Sequence, residues 1–403
     1  MVRANNRPDF GKGLNHGLPG TWSERADRTA TARSGHKFIA LKPLGAINPL
    51  NAAWPSLAAS SGLISEVERY HCPLKISSAL WGISLATVSA ASVLCFSTGH
   101  TTVKSVPVWP YGTDPDKSSP APNGPPDTTL KQLPGAKLKF TEAQTQSPFG
   151  PADWFPGDHP AMPGIVAFGR KPLIMACAFC HFPNGKGKPE NAGVSGLPVS
   201  YFVEQLHEFK EGQRKSADSR KENTALMAAF AKAMTDEEIQ QAAEYFGSMK
   251  WTPWIKVVET DMVPKTRTSS GMYIPIPGAG KEKLGERIIE VPVDTDGTEE
   301  LRNPRSGFIA YVPFGSIEKG KAVVTGENKR TTACSVCHGD DLKGLGPVAG
   351  IAGRSPSYMA RQLYDMQQGT RNGSWTKLMK PVVRTLNEED VLDVVAYVSS
   401  LQP

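Results

Sequence analysis

A chain of 403 residues, with 39% hydrophobic and 21% charged residues, is long enough for two or three domains with buried cores. Its formal charge of +6 arises almost entirely before residue 76, where ten Lys and Arg face five Asp and Glu, so the remainder is nearly neutral. This balance excludes a nucleic-acid-binding surface. The six cysteines do not indicate a disulfide framework, because four of them belong to two C-x-x-C-H motifs.

Residues 1–74 are rich in Pro, Gly, Asn and Arg and show no clear periodicity, which predicts disorder. No Met occurs between Met1 and Met162. The alternative interpretation is therefore that translation starts later, at a Val or Leu codon, and that this extension is mis-assigned.

Residues 75–100 contain no charged side chain after Lys75, and their core is apolar. Following a basic residue and preceding a Pro-rich stretch, they are predicted to be a signal peptide or a single membrane anchor. Residues 101–139 are then an extended Pro-rich linker. Residues 140–163 carry several aromatic residues and are predicted to form a lead-in loop that clasps the first domain.

The two C-x-x-C-H motifs are Cys177-Ala178-Phe179-Cys180-His181 and Cys334-Ser335-Val336-Cys337-His338. This spacing is typical of c-type haem attachment, since two thiols one helical turn apart can both add to the porphyrin vinyl groups. The adjacent imidazole then lies beneath the ring and can bind the iron.

The sequence after each motif repeats. A shift of 157 residues superposes identical residues, and the shift falls to 152 after a loop that is five residues longer in the first copy. The matched pairs are Gly196 and Gly353, Ser200 and Ser357, Tyr201 and Tyr358, Gln205 and Gln362, Leu206 and Leu363, Gly212 and Gly369, Arg214 and Arg371, Met227 and Met379, Glu237 and Glu389, and Tyr245 and Tyr397. The chain therefore contains two copies of one module.

Each module predicts the same order of elements: a short helix, the motif, a Gly/Pro-rich loop, an amphipathic middle helix and a closing helix. The middle helices begin near Tyr201 and Tyr358. Thr235 with Glu238 is a capping box, and Asn387 precedes three acidic residues, so both positions mark the start of a closing helix. Between the modules, residues 251–313 predict irregular chain with a few strands and, given their length, an interface role.

Met227 and Met379 are the predicted sixth ligands of the two irons, opposite His181 and His338. Each lies eight residues before the first residue of its closing-helix signal, and we place both on a loop after the middle helix. A Met at an isolated position is usually core filler, but the matched placement favours ligation. Met234 and Met366 are unmatched alternatives.

Two further histidines receive other roles. His207 has Tyr364 as its counterpart and is predicted to be a surface or packing residue. His159 is a distant alternative ligand.

Polar partners of the haem are also suggested by the repeat. The carbonyl groups that accept a hydrogen bond from each proximal histidine are placed near Pro189 and Pro347. Arg214 and Arg371 are either donors to haem propionates or solvated side chains.

A Cys₄ zinc site is the alternative for the four motif cysteines. A zinc site would give the paired His and Met residues no role, and it would not account for the predicted export signal.

These residues resemble di-haem class I cytochromes c of bacterial respiratory chains, over about residues 160–250 and 314–403. The second module is the nearer match, through Cys334–His338, Gly339–Gly344, Gly353–Pro356, Met379 and Ala396-Tyr397. The first departs from the pattern at Phe182–Gly185, and its loop before Met227 is longer.

The resemblance implies a mainly α chain with two tandem class I cytochrome c-like helical domains, residues 140–250 and 314–403, joined by an irregular, weakly β segment. It implies two covalently attached haem c groups, each with one edge near solvent, in a protein exported to the periplasm or the outer face of the membrane. The resemblance further implies that the chain is not an enzyme and that it passes single electrons between redox proteins. Its expected partners include a dehydrogenase or oxidase complex, and a membrane tether is also expected. The alternatives are a di-haem enzyme of the bacterial cytochrome c peroxidase kind and the cytochrome subunit of a membrane dehydrogenase complex.

Overall fold

The structure is a computed structural model that describes residues 105–114 and 127–403. The predictions for the N-terminal extension and for the signal or anchor segment lie outside these ranges. Within them, no helix is both long enough and apolar enough to cross a bilayer.

The first module is helical, and the predicted elements occur in the predicted order, with α1 and α5 as additional helices. Its helices are α1 (Glu142–Thr145), α2 (Gly164–Ala167), α3 (Cys177–His181), α4 (Val199–Lys210), α5 (Glu222–Ala233) and α6 (Asp236–Gly247). The predicted capping box forms at α6, where the Thr235 hydroxyl accepts from the Glu238 N–H and the Glu238 carboxylate accepts from the Thr235 N–H.

The closing helix packs around an aromatic core. Phe202 of α4 stacks on Phe246 of α6 with ring centroids 5.9 Å apart, and both side chains are buried.

The inter-domain segment contains more β-structure than the sequence predicts. Its elements are β1 (Ile255–Glu259), β2 (Met262–Pro264), β3 (Thr266–Ser269), β4 (Met272–Pro275), β5 (Lys281–Lys283), β6 (Ile289–Pro292), α7 (Thr295–Glu299) and β7 (Phe308–Val312). Strands β1, β7 and β6 form a three-stranded sheet in that order, with β1 parallel and β6 antiparallel to the central β7. The pairs β2–β5 and β3–β4 are antiparallel.

The second module repeats the first with small differences. Its elements are α8 (Ser316–Val324), α9 (Ser335–His338), β8 (Gly344–Leu345), β9 (Val348–Ala349), α10 (Pro356–Gln367), α11 (Thr376–Arg384) and α12 (Glu388–Ser400). Asn387 caps α12 through a reciprocal pair with Asp390, as its position predicts. Gly320 lets α8 approach α12, because a Cβ there would collide with the Asp393 carbonyl.

The sheet is buried on both faces, which explains why its strands are regular. Ala310 and Val312 on one face of β7 join the core of the second module, whereas Ile309 and Tyr311 on the other face pack on the β-hairpin residues. The segment therefore packs on the second module, and through Trp254 and Phe308 also on Phe182 of the first module, so it is not a free connection.

Part of the stretch predicted as an extended linker is packed instead, and the lead-in loop has contacts beyond the first module. Trp109 and Tyr111 are 7% and 0% exposed and lie in the core of the second module, so residues 105–114 are not an extended linker. The lead-in loop packs on the inter-domain segment as well as on the first module: Trp154 is buried and its indole N–H donates to the Leu301 carbonyl at 2.7 Å. Burying an indole or a phenol outweighs the cost of ordering the chain.

Candidate haem sites

The first motif lies on the short helix α3. Burial lowers the pKa of His181, and the bond to the Ala192 carbonyl only partly opposes this. The His181 ring is neutral and donates from Nδ1 to the Ala192 oxygen at 2.8 Å. Its Nε2 lone pair is consequently left for a metal.

The second motif repeats this arrangement. His338 on α9 donates from Nδ1 to the Ala349 oxygen at 2.8 Å, and burial likewise lowers its pKa. Ala192 and Ala349 stand at the same place in the two repeats, eleven residues after their histidines.

The predicted carbonyl region was therefore wrong in detail. The Pro189 carbonyl accepts from the Arg361 guanidinium at 2.7 Å, not from a histidine. The sequence contained the better signal, because Ala192 and Ala349 keep the 157-residue spacing whereas Pro189 and Pro347 do not.

The residue after each histidine adopts the same left-handed backbone. Gly339 has φ 84° and ψ 156°, and Phe182 has φ 61° and ψ 157°. This region is nearly reserved for glycine and costs about 1–3 kcal/mol for other residues. Phe182 is held there because its ring is 1% exposed, packed with Trp254 and Phe308 of the inter-domain segment.

The first cysteine of each motif is a poor nucleophile as a free thiol. Burial raises the pKa of Cys177 to about 12 and that of Cys334 to about 11, so neither is a thiolate at neutral pH. Among the described residues, no group of three or more His, Cys, Asp and Glu side chains could hold a metal ion, so the Cys₄ zinc alternative has no site there.

A cavity of about 660 Å³ opens beside the first motif, within the usual size range of cofactor sites. Cys177, Cys180 and His181 lie on one wall. An apolar part of the lining comes from α4, α5 and the turn into α6: Phe202, Leu206, Met227, Phe230 and Met234. The lining fits a porphyrin, since it combines two thiols, an imidazole with a free nitrogen, thioethers and an apolar surface.

Both predicted methionine ligands lie on helices, which corrects the loop expected for them. Met227 is on α5 and Met379 on α11, and both are partly exposed. Met234 also lines the cavity and is 4% exposed, so it remains the alternative in the first module. Met366 lies on α10 and is 8% exposed.

The other two histidines lie outside this cavity. His159 contacts the Asp153 carboxylate at 3.3 Å and the Pro160 carbonyl at 2.9 Å, which disfavours it as a ligand. His207 is a half-buried residue of α4, as the sequence predicts.

The second motif is more open than the first. Cys337 is exposed, and the neighbouring Val336 is 64% exposed. Cys177 and Cys180 of the first motif are partly buried and share their cavity with Tyr111 and Gly271. The two sites therefore differ in their access to solvent.

Arg214 joins the two modules at a buried interface. It is 8% exposed and lines the cavity, so it is not the solvated side chain that was one of its two predicted roles. Its guanidinium donates to Gln205 of its own module at 2.8 Å, and to Tyr358 and Gln362 of the other module at 2.8 and 2.9 Å.

Arg371 mirrors this pattern. It is 6% exposed and donates to Gln362 of its own module at 3.1 Å, and to Tyr201 and Gln205 of the first module at 3.0 and 2.7 Å. The backbones of Arg214 and Arg371 also form an antiparallel bridge. The repeated Tyr, Gln and Arg residues thus form a pseudo-symmetric seam, which repeat matching alone did not reveal.

A second contact links the loops that follow the two motifs. Arg354 of the second module donates to the Gly193 carbonyl at 2.9 Å, one residue beyond the acceptor of His181. Its guanidinium also stacks on Trp251, 4.5 Å from the ring centroid.

The chain matches a protein-family model described as cytochrome c at residues 166–250 and again at residues 317–402. Cytochrome c-552 of Acidithiobacillus ferridurans is 35% identical over 229 residues, which are 56% of this chain and 73% of that protein. The thiosulfate dehydrogenase electron acceptor of Thiomonas intermedia (strain K12) is 24% identical over 233 residues, 57% of this chain and 80% of that protein. The solved structure of Acidithiobacillus ferrooxidans cytochrome c4 matches with a TM-score of 0.36 and 23% identity, covering 56% of this chain and 98% of that one.

Proposed function

This chain belongs to the cytochrome c family, and on that premise we propose that it passes single electrons outside the cytoplasm, with each iron held between a histidine and a methionine. It is a di-haem electron-transfer cytochrome with two covalently bound haem c groups. The ligand assignment, the partners and the location are the proposed parts.

The doubled histidine geometry carries the ligand proposal. In both modules, at matched positions, a buried neutral imidazole donates from Nδ1 to an alanine carbonyl at 2.8 Å. This hydrogen bond fixes the tautomer and the ring orientation, so that Nε2 can bind iron. Haem iron bound in this way supplies reversible one-electron chemistry.

Met227 and Met379 complete the proposed ligand pairs. Met227 lines the cavity with His181, and Met379 occupies the same place in the repeat on α11. A thioether ligand raises the reduction potential and blocks the sixth position, which suits a carrier rather than a peroxidase.

The test of the ligands is an absorption and magnetic circular dichroism comparison on the holoprotein. Met227→Ala and Met379→Ala should each remove half of the long-wavelength Met–Fe(III) band, and the double variant should remove all of it. Met234→Ala and Met366→Ala are the matched controls and should leave the band intact. Loss of the band in Met234→Ala alone would transfer the first ligand to Met234.

The same spectra separate the carrier from a peroxidase. A high-spin haem in the unsubstituted oxidised protein, together with peroxide turnover, would favour the enzyme of the peroxidase kind. Two low-spin haems without turnover support the carrier.

For partners, we propose a dehydrogenase that oxidises a small inorganic or organic donor and delivers electrons one at a time. One relative is described as the electron acceptor of thiosulfate dehydrogenase and another as the cytochrome subunit of sulfide dehydrogenase. Co-purification in mild detergent distinguishes a permanent subunit from a diffusing carrier. Cell fractionation of the native protein tests export, and a purely cytoplasmic holoprotein would contradict it.

A further inference from the structure

The cavity beside the first motif continues into a polar end that the haem-ligand assignment does not use. Residues from three distant parts of the chain line it: the segment Tyr111–Asp114, Lys221 in the longer loop of the first module, and Thr268, Ser270 and Gly271 around the β3–β4 turn. The corresponding loop of the second module is five residues shorter. This polar end is thus a feature of the first module.

Lys221 is the notable side chain of that end. It is 3% exposed, and its Nζ atom is buried without a hydrogen-bond partner. The turn at Gly271 closes over it: a Cβ on Gly271 would lie 2.5 Å from Nζ, and the φ of +86° there suits glycine. A buried ammonium without a partner is costly, so an anion beside Nζ would stabilise the charged form of this lysine.

Of the two carboxylates near Lys221, Asp218 is bonded to other groups, whereas Glu190 is paired through one oxygen only and its Oε2 atom is buried without a partner. Asp218 accepts from Arg220 at 2.8 Å and from Thr113 at 2.6 Å, and Glu190 pairs through Oε1 with Lys188 at 2.7 Å. These two carboxylates favour the charged lysine.

Two basic residues near Lys221 have the opposite effect and disfavour its charged form. Arg361 donates to the carbonyls of Pro110 and Pro189, and it and Lys188 disfavour a further positive charge. Burial is the largest influence and lowers the pKa of Lys221 well below its ordinary value. An additional carboxylate in the cavity would oppose the effect of burial and favour Lys221 as a cation.

We propose that the Lys221 ammonium binds a propionate of the haem attached at Cys177 and Cys180. The inference rests on the proposed function, because it takes the first cavity as a haem site. The propionates are the only charged groups on the rim of the haem, and Lys221 lines the same cavity as Cys177 and Cys180. A charge-assisted bond here satisfies the buried lysine and the buried carboxylate together.

Lys221 then gives the two haems different reduction potentials. A cation beside a haem favours the reduced state, which carries one less positive charge on the iron. The loop of the second module is five residues shorter and has no counterpart of Lys221. Lys221 therefore raises the reduction potential of the first haem relative to the second.

The test uses the full-length holoprotein with Lys221→Gln, Lys221→Arg and the control Lys232→Gln, in which an exposed lysine of α5 is neutralised. Potentials are measured by spectroelectrochemical titration, and each haem is assigned by nuclear Overhauser contacts to the Phe202 ring. Lys221→Gln should lower the equilibrium constant for reduction of the first haem about tenfold, which is about 59 mV for one electron. The reduction potential of the second haem should not change.

The pH profile supplies a second reading. Without the ammonium the pKa of the propionate rises, so the potential of the first haem should become pH-dependent at a higher pH than in the unsubstituted protein. Lys221→Arg should restore the original profile, and Lys232→Gln should leave it unchanged.

An unchanged first potential and pH profile in Lys221→Gln, with the low-spin spectrum intact, would overturn the proposal. So would equal losses of stability in Lys221→Gln and Glu190→Gln without a shift in potential, because Glu190 would then be the partner of Lys221. Failure of the proposed function would already appear in the unsubstituted protein, as missing haem or missing methionine ligation, so the two failures are distinguishable.

Discussion

At the scale of single residues, the two modules have different residues at a position that requires a positive φ angle. The position after the proximal histidine needs a left-handed backbone, which Gly339 adopts freely and Phe182 adopts under strain. The Phe182 ring compensates by joining the first module to Trp254, Met272 and Phe308 of the inter-domain segment. The departure from the family pattern at this position is thus an anchoring contact.

Phe182→Ala should lower the free energy of unfolding by about 3–5 kcal/mol, since it keeps the strain and removes a buried ring. Phe182→Gly should lose about 1–3 kcal/mol less, because glycine relieves the strain. Denaturant titration measures both, and Phe168→Ala, at a ring that is 65% exposed, is the control. Equal losses for alanine and glycine would contradict a strained backbone.

Glu290 is a second informative residue. It is 1% exposed on β6 and accepts from the Ser355 hydroxyl at 2.8 Å, at the N-terminus of α10. Burial raises its pKa to about 7, despite the hydrogen bonds from Ser355 and Ser357 that favour the carboxylate.

The free energy of unfolding should therefore decrease as the pH rises from about 4.5 to about 7. The unfolded chain ionises Glu290 from about pH 4.5 upward, whereas the folded chain does so only above about pH 7, which disfavours folding by at most about 3 kcal/mol. Glu290→Gln should flatten the dependence of the unfolding free energy between these pH values. Glu286→Gln, an exposed neighbour, should keep it. A profile unaltered by Glu290→Gln would show that other groups cause the slope.

At the scale of elements, local signals predict helix starts well and predict the methionine segments poorly. Both closing helices begin at the residues that the capping pattern indicates. Helices α5 and α11 were missed, although the Ala-rich sequence of α5 favours a helix. Pro381 lies inside α11 and would ordinarily indicate a break.

The caps give a prediction at this scale. Thr235→Ala and Asn387→Ala should each cost about 1 kcal/mol, because each removes one side of a reciprocal capping box. Thermal unfolding monitored by circular dichroism measures the loss. Thr385→Ala, an exposed position whose hydroxyl only bonds the preceding turn at the Val382 carbonyl, should change the midpoint less.

At the scale of the molecule, the modules are joined by a seam and by a sheet. Arg214 and Arg371 each bond both modules, and Arg354 reaches from the second module to the loop behind His181. The inter-domain sheet adds apolar contacts with the second module. The two haem domains are therefore expected to unfold together.

Arg214→Met combined with Arg371→Met should split this single transition into two. Each single variant leaves polar groups of the seam without partners, and the pair should be non-additive by about 0.5–3 kcal/mol, since both arginines share Gln205 and Gln362. Calorimetry of the holoprotein measures the transitions. Lys319→Met, at an ion pair with Glu389 that is exposed on both sides, is the control. Additive effects with one transition retained would show that the sheet alone couples the modules.

The sequence by itself determined what depends on local pattern: two C-x-x-C-H motifs, the doubled module, the capped closing helices and the class of cofactor. Spacing carries that information because thioether attachment and helix capping act over a few residues. Only the tertiary structure decided that Ala192 and Ala349 accept from the histidines, that the repeated arginines pair across a seam, and that Tyr111, Gly271 and Lys221 meet at one end of a cavity. These contacts join residues far apart in the chain, and their partners are set by packing, which no local pattern records.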